Sequence, residues 1–193
     1  KEPWDSSILE SSFIEYKDDE NFKTYLQSLN SIISLFSKGR LPKRSILITS
    51  GAGMGKTHFA YECLKLAKAN GYTVNNIIDN VEYRRLNNLS VDPELYRDYL
   101  KKNNHLPTIE DIVTSDYQVM TIDPIAYQDA HSDIISLLSK RDRHGKTTMI
   151  ISCATINQIC ITDRKQNKSL TNFIYNKKIS NERTLNFISC YLR

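Results

Sequence analysis

Gly51, Gly53, Gly55, Lys56 and Thr57 stand together at the end of an apolar run, in Ser45-Ile-Leu-Ile-Thr-Ser-Gly-Ala-Gly-Met-Gly-Lys-Thr57. The run Ile46-Leu-Ile-Thr49 suits a buried strand, and the residues from Lys56 onward suit a helix. A glycine-rich turn between strand and helix is the plan of a P-loop. Its backbone N–H groups wrap a di- or triphosphate, and the helix N-terminus adds partial positive charge. The glycines let the backbone turn tightly and approach the oxygens. Lys56 would reach the β- and γ-phosphates, and the Thr57 hydroxyl would ligate Mg²⁺. The phosphate-binding stretch is expected to comprise Ser50, Gly51, Ala52, Gly53, Met54, Gly55, Lys56, Thr57 and His58. One departure stands out: the pattern G-x-x-x-x-G-K-[ST] wants glycine where this chain has Ser50.

A P-loop lysine and threonine do not hold Mg²⁺ alone, and a second acid normally comes from the end of a neighbouring strand. Asp123 fits that place, following Gln118-Val-Met-Thr-Ile122. Pro124 comes next. It can neither accept a proton nor donate from its backbone nitrogen, so hydrolysis is expected to be slow unless Asp129 or another acid substitutes. Ser152, Thr155 and Asn157 lie at or just beyond the end of the next predicted strand, within reach of a γ-phosphate or its attacking water in a parallel sheet. Arg164, Lys177 and Arg183 are equivalent candidates for acting on a neighbouring subunit's γ-phosphate. The four histidines form no metal or triad pattern, and His58 also suits packing on the first helical turn.

The surrounding elements must position these groups. Apolar residues at Phe22, Tyr25, Leu26, Leu29, Ile32, Ile33 and Phe36 predict an amphipathic helix stopped by Gly39. The P-loop helix keeps Phe59, Ala60, Cys63, Leu64 and Ala67 on one face and ends at Asn70-Gly71. Tyr72 to Ile78 reads as a second strand. Helices are predicted over Val81–Leu89, from Asp92-Pro93-Glu94 to Asn103, and over Thr108–Thr114. After the Gln118–Asp123 strand come a helix from Ala130 to Arg143, a strand from Thr148 to Cys153, short helices over Ile156–Ile161 and Leu170–Tyr175, and a last strand from Leu185 to Leu192. A strand, P-loop, helix, strand order argues for a parallel α/β sheet, because parallel neighbours require a crossover.

The chain has 193 residues, 40% hydrophobic and 25% charged, which suits one globular domain. No apolar run approaches the ~20 residues needed to cross a bilayer. Four scattered cysteines without C-x-x-C predict free thiols, buried at Cys63 and Cys153, and a reducing, cytoplasmic setting. The net charge of +4 is unevenly spread: residues 1–22 carry seven acids and two bases, a local −5 that leaves +9 for the rest. We therefore divide the chain into an acidic N-terminal arm, residues 1–20, and an ATPase-like domain, residues 21–193. The arm either docks on a partner or folds back over the core. Basic clusters at Lys38–Arg44, Lys140–Lys146 and from Arg164 onward suit either a solvated face or a phosphate-binding surface.

The order of these parts resembles a known family. Ser-Gly-Ala-Gly-Met-Gly-Lys-Thr57, Leu-Lys-Leu-Ala-Lys-Ala-Asn-Gly-Tyr-Thr-Val74, Val-Met-Thr-Ile-Asp123 and Met-Ile-Ile-Ser-Cys153 together look like the AAA+ ATPases of the DnaC/DnaI helicase-loader and IstB-like group, in a divergent version. The similarity covers roughly residues 21 to 193. It implies a five-stranded parallel AAA+ sheet flanked by helices, without a C-terminal lid domain. It also implies ATP and Mg²⁺ as ligands, self-assembly or binding to a replicative helicase, and contact with single-stranded DNA. Carried over residue by residue, Lys56 and Thr57 match the P-loop pair, Asp123 the Mg²⁺ acid, and Ser152 the first sensor. Pro124 stands where hydrolytic members carry glutamate, and Asn172-Phe-Ile-Tyr-Asn-Lys-Lys178 stands where an arginine-rich finger motif is expected.

The leading expectation is an ATP-controlled loader, with Tyr83, Tyr96 or Tyr99 as platforms for stacked bases. A P-loop kinase for a nucleotide or small molecule, and an assembly module that holds ATP without hydrolysing it, are the alternatives.

Overall fold

A computed structural model describes residues 4–122, 127–153 and 186–191. Its centre is strand β1 (Ile46–Ser50), buried at every position. A strand covered on both faces is the habit of an all-parallel sheet, where crossover helices pack above and below. Five parallel strands follow the order β2-β3-β4-β1-β5. The others are β2 (Ile78–Asp79), β3 (Tyr117–Ile122), β4 (Thr147–Ser152) and β5 (Asn186–Cys190). This is the expected five-stranded α/β architecture. Among the described residues no helix is long and apolar enough to cross a membrane.

The sheet divides two cores by strict alternation. Ile46, Ile48, Tyr117, Val119, Met149 and Ile151 face one helical layer, whereas Leu47, Met120, Ile122 and Ile150 face the other. The first layer holds α2 (Glu20–Ser37) and α3 (Lys56–Ala69), and the second holds α4 (Asn80–Leu89), α6 (Ile109–Thr114) and α7 (Tyr127–Arg143). Helix α5 (Pro93–Lys102) packs outside α4. In α2 the buried residues Phe22, Tyr25, Leu26, Leu29, Ile32 and Phe36 recur at helical spacing, and the Asp19 side chain caps the Phe22 N–H.

The acidic N-terminal residues fold back over this body. Asp5 caps α1 (Ser6–Ser12), and a 3₁₀ turn follows at Ile14–Tyr16. Leu9 is buried in the first core, and the Trp4 indole N–H donates to Asn30 Oδ1 on α2 at 3.2 Å. Trp4, Leu9 and Phe13 supply the apolar anchors, while the carboxylates remain in water.

Three sequence expectations need correction. The strand expected over Tyr72–Ile78 forms only at Ile78–Asp79, with an isolated bridge at Val74. The intervening Asn75 and Asn76 side chains instead donate to Asp111 and Gln118 and to the His105 carbonyl, which engages this stretch through side chains. Cys153, expected to be buried, is exposed because β4 ends at Ser152. Of the three tyrosine platforms, Tyr83 is buried in the second core, whereas Tyr96 and Tyr99 are half-buried with engaged hydroxyls. Tyr83 is only 3% exposed, the Tyr96 hydroxyl accepts from the Ile109 N–H, and the Tyr99 hydroxyl donates to Glu82. The expected short helices over 156–161 and 170–175 lie outside the described residues.

Candidate functional site: the P-loop at the carboxyl edge of the sheet

In a parallel sheet every carboxyl end lies on one edge, and ligands settle where connections leave in opposite directions. Here the chain leaves β1, crosses to β2, and later returns to β5 on the other side of β1. Residues 51–55 sit at that switch point, between the end of β1 and the start of α3.

Gly53 and Gly55 adopt φ of 79° and 77°, left-handed values that side chains rarely accept. A Cβ on Gly53 would meet nothing within 4 Å, so the loop is open above this residue. A Cβ on Gly55 would lie 3.2 Å from Trp4 and 3.3 Å from Leu9. The N-terminal segment therefore presses directly on the P-loop. The Trp4 ring also lies 5.9 Å from His58 and meets Phe59 edge-on at 5.2 Å.

Lys56 begins α3 and is 8% exposed. Its ammonium donates to the Ser50 carbonyl at 2.9 Å, the Ser50 hydroxyl at 3.0 Å and the Gly51 carbonyl at 2.9 Å. Burial pushes the Lys56 pKa down, and the neighbouring Cys153 opposes that shift. Ser50 is fully buried in the extended backbone at the end of β1, so a side chain is tolerated where the motif usually has glycine. From α2, the Tyr25 hydroxyl donates to the Met54 carbonyl at 2.9 Å. Burial raises its pKa to about 12, with a hydrogen bond to Ser50 opposing.

These features fit a polyphosphate. The Lys56 ammonium is buried against three neutral oxygens of its own loop, and phosphate oxygens would supply an anionic partner. Helix α3 opens on Gly55 without a side-chain cap, so its first-turn N–H groups suit the same ligand. Thr57 is exposed at that first turn, where its hydroxyl suits a cation bridging the phosphates. Among the described residues no group of three His, Cys, Asp or Glu side chains could hold a metal by itself. Among the described residues, Thr57 together with phosphate and water oxygens would suit Mg²⁺, which commonly keeps several waters.

The remaining candidates fall differently. Ser152 is buried at the end of β4, and its hydroxyl donates to the Ile122 carbonyl at 3.3 Å. It thus joins the ends of β4 and β3. Asp123, Pro124, Thr155, Asn157, Arg164, Lys177 and Arg183 lie outside the described residues, as does the Asp129 side chain. Tyr25, Trp4 and Cys153 belong to the site and carry no local motif. Tyr25 was legible only as one apolar position in a helix, and Trp4 only as an aromatic interruption in an acidic stretch.

No protein-family model matches the chain, and no curated protein matches it. Solved structures do. The DnaC helicase loader aligns with 89% of this chain and 90% of its own, at 14% identity and a TM-score of 0.54. Replication initiator DnaA bound to AMPPCP and single-stranded DNA aligns with 91% of this chain and 47% of its own, at 11% identity and a TM-score of 0.51. The present chain thus spans about half the length of that DnaA. A DNA replication initiation factor gives 11% identity and a TM-score of 0.51, over 89% of this chain and 45% of that one. With its strand order and the P-loop at the switch point, the chain has a parallel α/β P-loop fold similar to that of the DnaC helicase loader.

Proposed function

We propose that this chain is an ATP-binding AAA+ protein of DNA replication, a helicase-loader-like switch that contacts single-stranded DNA and assembles with like subunits or a helicase in the cytoplasm. The observation that carries the reading is the buried Lys56 ammonium, held in an open glycine loop at the switch point of a DnaC-like sheet. ATP would bring phosphate oxygens to Lys56, with Mg²⁺ held between Thr57, the phosphates and Asp123. Ser50 to His58 form the cradle, and Ser152 is the sensor beside the γ-phosphate. The γ-phosphate then favours one arrangement of subunits, and its loss releases that arrangement.

Pro124 favours a second reading, in which ATP is held and not turned over, so that nucleotide exchange alone drives the switch. One assay separates the two. ATP turnover of the purified chain is measured with and without single-stranded DNA, beside Lys56→Ala. Turnover that rises with DNA and vanishes in the variant supports the motor. Tight ATP binding without turnover supports the assembly module, and absence of ATP binding overturns both.

A further inference from the structure

The edge of the sheet opposite the P-loop carries a second feature. Because all strands are parallel, their amino ends share one edge, and α2, α3 and α7 run back to finish there. Residues 38–45 join α2 to β1, and residues 144–146 join α7 to β4. Since β1 and β4 are paired neighbours, the two connections lie side by side. They are also stitched together. The Thr147 hydroxyl donates to the Pro42 carbonyl at 2.7 Å, the Ser45 hydroxyl donates to Asp142 at 3.2 Å, and the Thr148 N–H donates to Ser45 Oγ at 3.2 Å.

Six exposed cations crown this joint: Lys38, Arg40, Lys43 and Arg44 from one side, Lys140 and Arg143 from the other. The nearby acids are half-buried and engaged. Asp142 accepts from Ser45, and Asp116 accepts from Lys146 and from the Thr73 N–H. Cations at helix carboxyl ends are ordinary, because they offset the negative end of the dipole. That accounts for Lys38, Lys140 and Arg143. It does not account for Arg40 and Lys43, which lie beyond the last turn of α2. Neither connection exposes a large apolar side chain. A protein-docking surface needs an apolar centre, whereas a polyanion needs only placed charge on a firm support.

We infer that this amino-terminal edge is a surface for the phosphate backbone of nucleic acid, separate from the nucleotide cradle. The inference rests on the proposed role in DNA replication and adds where the strand is held. The five residues of β1 separate the edge from the P-loop by about 17 Å, so both ligands can be bound at once. Buried Arg141 anchors the platform from beneath and takes no part in the surface.

The test uses the full chain with labelled single-stranded and duplex oligonucleotides, followed by fluorescence anisotropy across a salt series. The triple variant Arg40→Glu/Lys43→Glu/Lys140→Glu should lose at least about tenfold in affinity and flatten the log–log salt slope by about 2 on single strands. ATP affinity and melting temperature should stay unchanged. Losses on both oligonucleotides identify the backbone itself as the ligand, and a loss confined to one identifies that form. Should the triple variant melt early, Lys43→Gln and Lys140→Gln replace it, each expected to cost about threefold. Unchanged DNA affinity in variants of a chain that binds DNA overturns the surface and leaves the proposed function standing. A wild-type chain that binds neither oligonucleotide at low salt overturns both. Salt-sensitive self-association that the variant abolishes, without DNA binding, reassigns the edge to a contact between copies and overturns the inference.

Discussion

The Lys56 ammonium lies 3.0 Å from the Ser50 hydroxyl oxygen, so the residue that departs from the P-loop pattern is a partner of the residue that defines it. Two carbonyls also accept from the same ammonium. Removing the hydroxyl leaves those carbonyls in place, whereas removing the ammonium removes the charge a polyphosphate requires. Ser50→Gly is therefore expected to change ATP affinity by less than about threefold. Lys56→Ala should cost about tenfold to a hundredfold, the weight of one charge-assisted hydrogen bond. Isothermal titration of ATP into the three proteins measures both.

Gly55 couples the P-loop to the N-terminal segment. Alanine there would meet Trp4 and Leu9 at 3.2–3.3 Å while occupying a φ of 77°. The backbone cost alone is about 1–2 kcal/mol. Gly55→Ala should lower the melting temperature by several degrees and displace Trp4, the single tryptophan of the chain. A red-shifted emission relative to wild type reports that displacement.

Arg141 is fully buried, and its guanidinium donates to the Thr148 hydroxyl at 2.7 Å, the Thr147 carbonyl at 2.8 Å and the Ser115 hydroxyl at 3.1 Å. It also donates to the Ile112 carbonyl at 2.6 Å. Burial pulls its pKa down to about 10, so it stays charged at neutral pH. It ties α7 to α6 and to the start of β4. Arg141→Leu would leave several buried acceptors unpaired and is expected to destabilise the fold by roughly 3–5 kcal/mol. Urea unfolding followed by circular dichroism provides the measurement.

Asp116 accepts from Lys146 at 2.8 Å and from the Thr73 N–H at 2.9 Å. The Lys146 hydrogen bond, helped by Thr73, holds its carboxyl below the ordinary 3.8. A carboxylate depressed in the folded state stabilises the protein above its unfolded pKa. That contribution fades as pH falls through the lower, folded value. The pair is about 30% exposed, so the effect is modest and weakens with salt. Melting temperature should fall more steeply below about pH 4 in wild type than in Asp116→Asn. Parallel slopes would show that the pair contributes nothing.

The chain's own residues determined the P-loop, the parallel α/β class and the described helices α2 to α7. Each of those signals is local: glycine spacing, helical periodicity in α2, and an Asp-Pro start at α5 act over a turn or two of chain. What the sequence left open depends on distant partners. Cys153 becomes exposed only because β4 stops at Ser152, and the edge strand shrinks because the Asn75 and Asn76 side chains find acceptors 29 to 43 residues away. Arg141 looked like one more surface cation until α6 and β4 closed around it. Trp4 and Tyr25 join the nucleotide loop from 51 and 29 residues upstream, respectively, and no local spacing announces contacts of that range. Short-range pattern fixes which elements form. Which side chains meet across them is settled only when the helices pack on both faces of the sheet and bury them.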